Sequence, residues 1–496
     1  MGIVRNQSIK NSIYFYIGMA IGAISTVFVY PNVFHENPDH WGLIQILVSY
    51  AMVISTFSHF GIPKIFIRFF PAVTDKSQLY LLSFIMTLLG FFLVCLVYFS
   101  FQDTILNSIN ATDLLRDNFL YVVLLIFCIS FYELFTSISR SYLNSATPIF
   151  LNEIFLKGYT LLILIIHGIG VIDFNKFLIF YVLGYASKLV ILCIIQFKNN
   201  RLQWTNSLNS LQIKRLMSFG LFVIVGGASA LLVASVDMLM LGILKDLEQV
   251  AYYALAFFIG NSIKVPGRSI ITISTPLIAK AWEENDLKKI YLIYKKSAIT
   301  QLLIGGLFFV CIWLSIEEVF RILPEKFSNG KYVVFFVGLS QLFNISTGVN
   351  GAIIINSRYY RYDLLFTVCL LIITIIANYL FIPINWELFG IPISGINGAA
   401  LATSISVFIF NTVKLIFLKV KMNIQPFDIK TIYSIFLLLI TYFLIDAIPL
   451  FGNMYIDLII RSLLAITFFI PLMIWLELSE DINDMYFELK KKFLHF

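Results

Sequence analysis

Two cations, Lys264 and Arg268, stand on either side of Pro266 in "NSIKVPGRSIITISTP" (261–276), a stretch otherwise apolar enough to lie inside a lipid bilayer. A cation at the centre of a membrane helix costs about 2.5–3.5 kcal/mol on insertion scales, so something at that depth must offset the charge. Their four-residue spacing puts both on one helix face. Pro266 withdraws a backbone donor and loosens the turn between them. Counted inward from residue 250, they lie about 21 and about 27 Å along the helix, in the inner half of the bilayer. An arginine fork beside a lysine point charge suits an anion that must leave water. The plainer alternative is that both stems snorkel to the headgroups.

Other charges sit equally deep. Lys157 follows Glu153 by four residues in "LNEIFLKGYTLLILIIHG", a spacing at which the two can neutralise each other; the alternative puts Lys157 on a cavity wall. Lys188, in "FLIFYVLGYASKLVILCIIQF", has no carboxylate within a turn and is expected to face a cavity or a partner helix. Arg461 follows Asp457 by four residues, and self-pairing is the expectation there. Asp237 ends a span near the outer face, as a solvated loop carboxylate or as a conformational element. Glu133 and Asp446 are candidates for ion coupling, while His59 and His167 read as interfacial histidines. The candidate binding cations are therefore Lys264, Arg268, Lys188 and Lys157. The candidate coupling or conformational carboxylates are Asp237, Glu153 and Glu133.

These residues need long membrane helices to position them. Of 496 residues, 59% are hydrophobic and 13% charged, whereas a soluble domain carries about 25% charged residues. Apolar runs of about 20 residues recur throughout, each long enough to span the hydrocarbon. The alternating segments of a β-barrel are lacking. The chain reads as an all-α polytopic membrane protein of about fourteen spans. The first seven lie near 11–31, 42–62, 80–101, 118–138, 148–168, 177–197 and 216–236. The rest lie near 250–270, 296–316, 332–353, 363–383, 396–418, 431–451 and 457–477. Arg5 and Lys10 precede a first run too long for a signal-peptide core, so it is expected to stay as an uncleaved helix.

With the N-terminus in the cytoplasm, the inner connections hold 24 Lys and Arg and the outer ones 6. That asymmetry fits an even number of spans with both termini cytoplasmic. The segment 279–298, "AKAWEENDLKKIYLIYKKSA", resembles an amphipathic surface helix with Trp282 at the interface. A repeat is visible between "FGIPKIFIRFFPA" (60–72) and "IKVPGRSIITISTPLIA" (263–279): a cation near a proline, a second cation four residues on, then a second proline. It implies two six-helix lobes in pseudo-twofold repeat, 1–200 and 201–420, with two extra C-terminal helices and a tail over 421–496. Substrate sites of such repeats lie between the halves.

Two stretches carry a family likeness. "SVDMLMLGILKDLEQVAYYALAFFIGNSIKVPGRSIITISTPLIAK" (235–280) has Asp237, Gly242, Tyr252-Tyr253-Ala254, Pro266 and Pro276; "ANYLFIPINWELFGIPISGINGAALATSIS" (377–406) has Asn-x-x-x-Ile-Pro followed by Gly-Ile-Asn-Gly-Ala-Ala-x-Ala-Thr. Both resemble the Wzx-like oligosaccharide flippases of the multidrug/oligosaccharidyl-lipid/polysaccharide exporter superfamily. Val250-Ala251 precede the tyrosine pair where the family has Gly or Val. The resemblance implies an alternating-access carrier in the bacterial cytoplasmic (inner) membrane, active as a monomer. Its implied cargo is an undecaprenyl-diphosphate-linked oligosaccharide, moved from the inner to the outer leaflet for surface polysaccharide such as lipopolysaccharide O-antigen. Membrane lipids and a glycan polymerase or other assembly proteins are the implied partners; nucleic acid and cofactors are not. The candidate cations would then meet the diphosphate.

Two other readings compete. One is an ion-coupled small-molecule or drug exporter of the same superfamily; exporters of cationic drugs would be expected to line their cavity with carboxylates. The deep charges here are five cations (Lys157, Lys188, Lys264, Arg268, Arg461) against four carboxylates (Glu133, Glu153, Asp446, Asp457), which leans towards an anionic cargo. A membrane glycan polymerase or ligase would need a sizeable outer loop, and the longest outer connections here, about 102–117 and 317–331, are short. The sequence has no phosphate-binding G-x-x-x-x-G-K-[ST] loop and no zinc-type His/Glu spacing. The five cysteines all lie in apolar runs, where they read as small core hydrophobes.

Overall fold

Hydrocarbon offers a backbone N–H or C=O no partner, so a lipid-embedded segment must satisfy its own hydrogen bonds. Helices accordingly dominate the computed structural model, which describes residues 2–71, 76–200, 228–229, 231–449 and 452–494. In chain order the principal elements begin with α1 (Lys10–Val33), α2 (Pro38–Ser58), α3 (Ile62–Phe69), α4 (Lys76–Ser108), α5 (Leu120–Ser141), α6 (Ala146–Gly168) and α7 (Phe174–Asn200). Then come α8 (Leu231–Leu244), α9 (Leu247–Asn261), α10 (Val265–Glu283), α11 (Leu287–Leu314), α12 (Lys331–Ser346), α13 (Asn350–Asn356) and α14 (Tyr360–Phe381). A hairpin of β1 (Trp386–Leu388) and β2 (Ile391–Ile393) leads to α15 (Gly395–Met422), α16 (Ile429–Asp446), α17 (Met454–Trp475) and α18 (Glu480–Leu494).

Among the described residues eleven helices are long and apolar enough to cross a membrane, and a bent pair ending in α13 makes a twelfth. The fold is thus all-α and polytopic. The eighth expected span is α9 plus α10, and most of the seventh (216–227 and 230) lies outside the described residues, with α8 beginning at Leu231.

The chain forms two compact units, Met1–Ala254 and Leu255–Phe496, which divide within α9. In the first, α5 is central: 78% of its apolar window is buried and 67% of that of α2, against 17–22% for α1, α4 and α6. Phe66, Phe131, Phe135 and Leu192 knit α3, α5 and α7 into one core. In the second unit α11 is central, and Leu303, Leu314, Leu438 and Phe469 join it to α16 and α17. Small residues let membrane helices approach closely: a Cβ on Gly398 of α15 would stand 2.1 Å from the Phe381 carbonyl oxygen at the end of α14.

Four features depart from the sequence reading. The segment 279–298 is not a separate surface helix: α10 stops at Glu283, Asn285 turns the chain at φ 54°, and Asp286 caps α11 by accepting from Lys289 N–H. Trp282 is half-buried and donates its Nε1 to the Ile353 carbonyl at 3.2 Å. The third span extends to Ser108, with an irregular residue at Phe101. The tenth breaks between α12 and α13 with a 51° bend, where Gly348 takes φ 64°. Buried Thr347, Asn350 and Asn411 hydrogen-bond around that break. The hairpin between α14 and α15 replaces a plain connection in the sequence reading.

A candidate cavity and the intramembrane charges

The first unit holds an open cavity of about 570 Å³ lined chiefly by α2, α3, α5, α6 and α7, with Phe15 of α1 and Leu231 of α8. Local sequence builds its rim. Helix α2 ends at Ser58; Gly61, at φ 67°, reverses the chain, and its N–H donates to His59 Nδ1 at 3.2 Å. Pro63 then occupies the first turn of α3, where its missing N–H costs nothing. That turn sets Lys64 on the cavity wall beside His59. Arg140 lines the wall from the last turn of α5, where the helix dipole favours a cation. Neither Lys64 nor Arg140 makes an ion pair among the described residues.

Lys188 enters from the middle of α7 and is 4% exposed. Its ammonium donates to Asn152 Oδ1 at 2.9 Å and lies 4.3 and 4.7 Å from the ring centres of Tyr132 and Tyr185. A desolvated cation–π contact is worth about 2 kcal/mol, so two faces and a hydrogen bond offset an insertion cost of about 2.5–3.5 kcal/mol. Asn152 and Glu153 lie in a π-helical turn, Leu151–Phe155, inside α6. Such wide turns frequently mark functional positions. Asn152 donates its amide to Glu153 Oε1 at 3.2 Å, and Glu153 Oε2 receives Lys157 Nζ at 2.7 Å. Lys157 also donates to the Gly18 carbonyl of α1 at 3.2 Å, and it is absent from the cavity lining. Glu133 lines the wall from α5, and its charge acts on Lys188.

The structure thus gathers Lys188, Glu133 and Glu153 at one cavity and joins Lys157 to them through Glu153. It adds Lys64 and Arg140, two of the 24 Lys and Arg that hydropathy places in the inner connections. The signal for Lys64 was the repeat "FGIPKIFIRFFPA", since a cation beside a glycine–proline turn marks the start of a fresh helix. Among the described lining residues, with Glu153 engaged by Lys157, three cations face one remaining carboxylate, Glu133.

Lys264 and Arg268 belong to the second unit. The Pro266 break is visible there as one 3₁₀ turn, Ser262–Lys264, before α10 begins. Lys264 is half-buried and Arg268 exposed, and neither makes an ion pair among the described residues. Asp237 is not a solvated loop carboxylate. It is 5% exposed and accepts the Tyr253 hydroxyl at 2.5 Å, because the turn after α8 folds α9 back against it. Arg461 also departs from expectation: it pairs with Asp446 at 3.8 Å rather than with Asp457, and it donates to the Leu314 and Ile448 carbonyls. Among the described residues no three His, Cys, Asp or Glu side chains gather as a metal site.

Residues 8–282, more than half of the chain, match the family described as polysaccharide biosynthesis protein. The chain belongs to that family. No curated protein matches the chain in sequence. Its fold is similar to the structure titled "Lipid II flippase MurJ, inward closed conformation", with TM-score 0.74 and 15% identity over 93% of this chain and 97% of that one. It is also similar to an inward-facing multidrug resistance MATE family transporter of the MOP superfamily, with TM-score 0.63 and 14% identity over 82% and 98% of the two chains. A MOP superfamily transporter from Pyrococcus furiosus, titled for the reverse polarity of its binding pocket, has TM-score 0.53 at 14% identity over 85% and 96%. At these identities the fold is what is shared.

Proposed function

We propose that this family member is a flippase for a sugar carried on a polyprenyl diphosphate, moved from the inner to the outer leaflet of the bacterial cytoplasmic membrane by alternating access. The observation that supports this most is the charge of the cavity in the first unit: Lys64, Arg140 and Lys188 stand against Glu133 once Glu153 is engaged by Lys157. A diphosphate leaving water needs that excess of donors. The rings of Tyr132 and Tyr185 hold the Lys188 ammonium in a dry site, where its attraction for an anion is weakly screened. The chain carries the cargo without altering it, and an ion gradient, the membrane potential or consumption of the product drives the cycle.

A second reading, ion-coupled export of a small molecule, draws on one observation: Glu133 is exposed to the same cavity and faces Lys188, as a coupling carboxylate would. One experiment separates the two. In a strain lacking the gene, polyprenyl-diphosphate-linked sugars are extracted and weighed by mass spectrometry. Build-up of one completed repeat unit with loss of the matching surface glycan is the expected result. An unchanged lipid profile in a strain that makes such glycans overturns the flippase reading in favour of small-molecule export.

A further inference from the structure

The hairpin joining α14 to α15 pairs Trp386 with Ile393, Glu387 with Pro392 and Leu388 with Ile391. Side chains alternate across a strand, so Trp386, Leu388, Ile391 and Ile393 share one face and Glu387 and Pro392 the other. The two-residue turn between the strands has both residues at positive φ, 52° for Phe389 and 79° for Gly390. Such turns favour Asn-Gly, and a phenylalanine in the first position is strained. Its ring nevertheless packs on nothing among the described residues: Phe389 is 96% exposed, with Trp386 at 52% and Ile384 at 43% beside it.

The base of the hairpin is firmly held. Gly395 N–H donates to the Ile382 carbonyl at 2.9 Å, the Asn397 amide donates to the Pro392 carbonyl at 3.0 Å, and Ile393 is fully buried. A strained, apolar tip therefore projects from a fixed root. The surface it continues is the lipid-facing stripe of α14, whose last turns expose Ile376, Tyr379 and Leu380. Charge placement gives the side. Arg358 and Arg361 lie at the other end of α14 and Lys419 and Lys421 at the other end of α15, whereas 382–394 holds one charge, Glu387. The end poor in Lys and Arg belongs to the outer face, and Trp is enriched at membrane–water interfaces.

We propose that this hairpin is an outer-leaflet anchor, with Phe389 and Trp386 seated among the phospholipid headgroups and upper acyl chains and Glu387 turned to water. It fixes the depth of the α14–α15 joint in the bilayer. The proposal does not depend on what the protein transports.

The test places single cysteines by Phe389→Cys, Trp386→Cys and Glu387→Cys in a background whose five native cysteines are replaced by alanine. Each is labelled with a nitroxide in nanodiscs of phosphatidylethanolamine and phosphatidylglycerol. Power saturation with oxygen and with a water-soluble nickel chelate then reports depth. Positions 389 and 386 are expected to favour oxygen over nickel several-fold more than position 387. Equal nickel access at 389 and 387 overturns the proposal by placing the tip in water. Shielding of 389 from both reagents also overturns it, in favour of contact with a second copy of the chain. Exposure of position 389 makes the label neutral for folding, which an unchanged melting temperature confirms.

Discussion

The Lys188 ammonium donates to the Asn152 side-chain oxygen at 2.9 Å, tying the middle of α7 to the π-helical turn of α6. From Asn152 the same chain of contacts runs through Glu153 to Lys157 and the Gly18 carbonyl of α1. A buried cation placed on a cavity wall is thereby linked to three helices of one unit.

Lys188→Met removes the charge and keeps most of the volume. The cost of a membrane-buried lysine and the hydrogen bond and two cation–π contacts that offset it are removed together. The melting temperature in detergent is therefore expected to change little. Transport of a diphosphate-linked lipid into the outer leaflet of proteoliposomes is expected to fall at least about tenfold, the equivalent of about 1.4 kcal/mol of lost anion binding. A large drop in melting temperature with transport intact would make Lys188 structural.

Tyr253→Phe takes the hydroxyl away from buried Asp237. The loss is expected to be about 1–2 kcal/mol, between the average for interhelical hydrogen bonds in membranes and that for bonds to charged groups. A cycle with Asp237→Asn isolates the pair. Equal losses from Tyr253→Phe in both backgrounds would show that the two side chains do not interact.

Gly398→Ala drives a Cβ to 2.1 Å from the Phe381 carbonyl oxygen, a backbone atom that cannot rotate away. Separating α14 from α15 is expected to cost about 1–3 kcal/mol or more. Gly158→Ala, whose Cβ meets nothing within 4 Å, serves as the control and should stabilise α6 slightly. Thermal unfolding in detergent measures both.

Acid should loosen one end of the second unit. Burial alone would raise the Asp428 carboxyl, but the Lys295 ammonium at 2.8 Å and the Thr431 N–H outweigh it and hold Asp428 below its ordinary value. The hydrogen bond from Lys296 at 2.9 Å does the same for Glu480 at the start of α18. A depressed folded-state pKa gives stability that is present above the unfolded value and lost as pH falls through the folded one. The loss is therefore expected below about pH 4, where carboxylates ordinarily titrate. Asp428→Asn keeps the cap to Thr431 and deletes the ion pair. Its melting temperature should trail the parent at pH 7, and the gap should narrow as pH falls below about 4; a constant gap throughout would exclude the ion pair as the cause.

Part of the charge placement around the candidate cavity was legible, and the misses have physical causes. Lys188 drew notice because no carboxylate lay within a turn of it, and Lys157 because Glu153 did. Lys64 and Arg140 did not, since a cation near a span end reads as a loop charge until the Gly61 turn folds α3 back against α5. Asp237 looked solvated because sequence shows its neighbours along the chain, and Tyr253 lies on the next helix. Arg461 found Asp446 on α16 although Asp457 is closer in sequence, because its guanidinium also reaches the Leu314 and Ile448 carbonyls.

By itself the sequence determined that this chain is a stack of membrane helices, and it determined their order and their basic and basic-poor ends. Those follow from solvation, which acts on each segment independently of the others: a run of about 20 apolar residues must cross, and Lys and Arg collect on one side. Tertiary structure alone decided which charges share a cavity, that the segment 279–298 is a turn between two helices, and that a hairpin ends α14. Those depend on contacts between segments far apart in the chain, whose geometry no local pattern encodes.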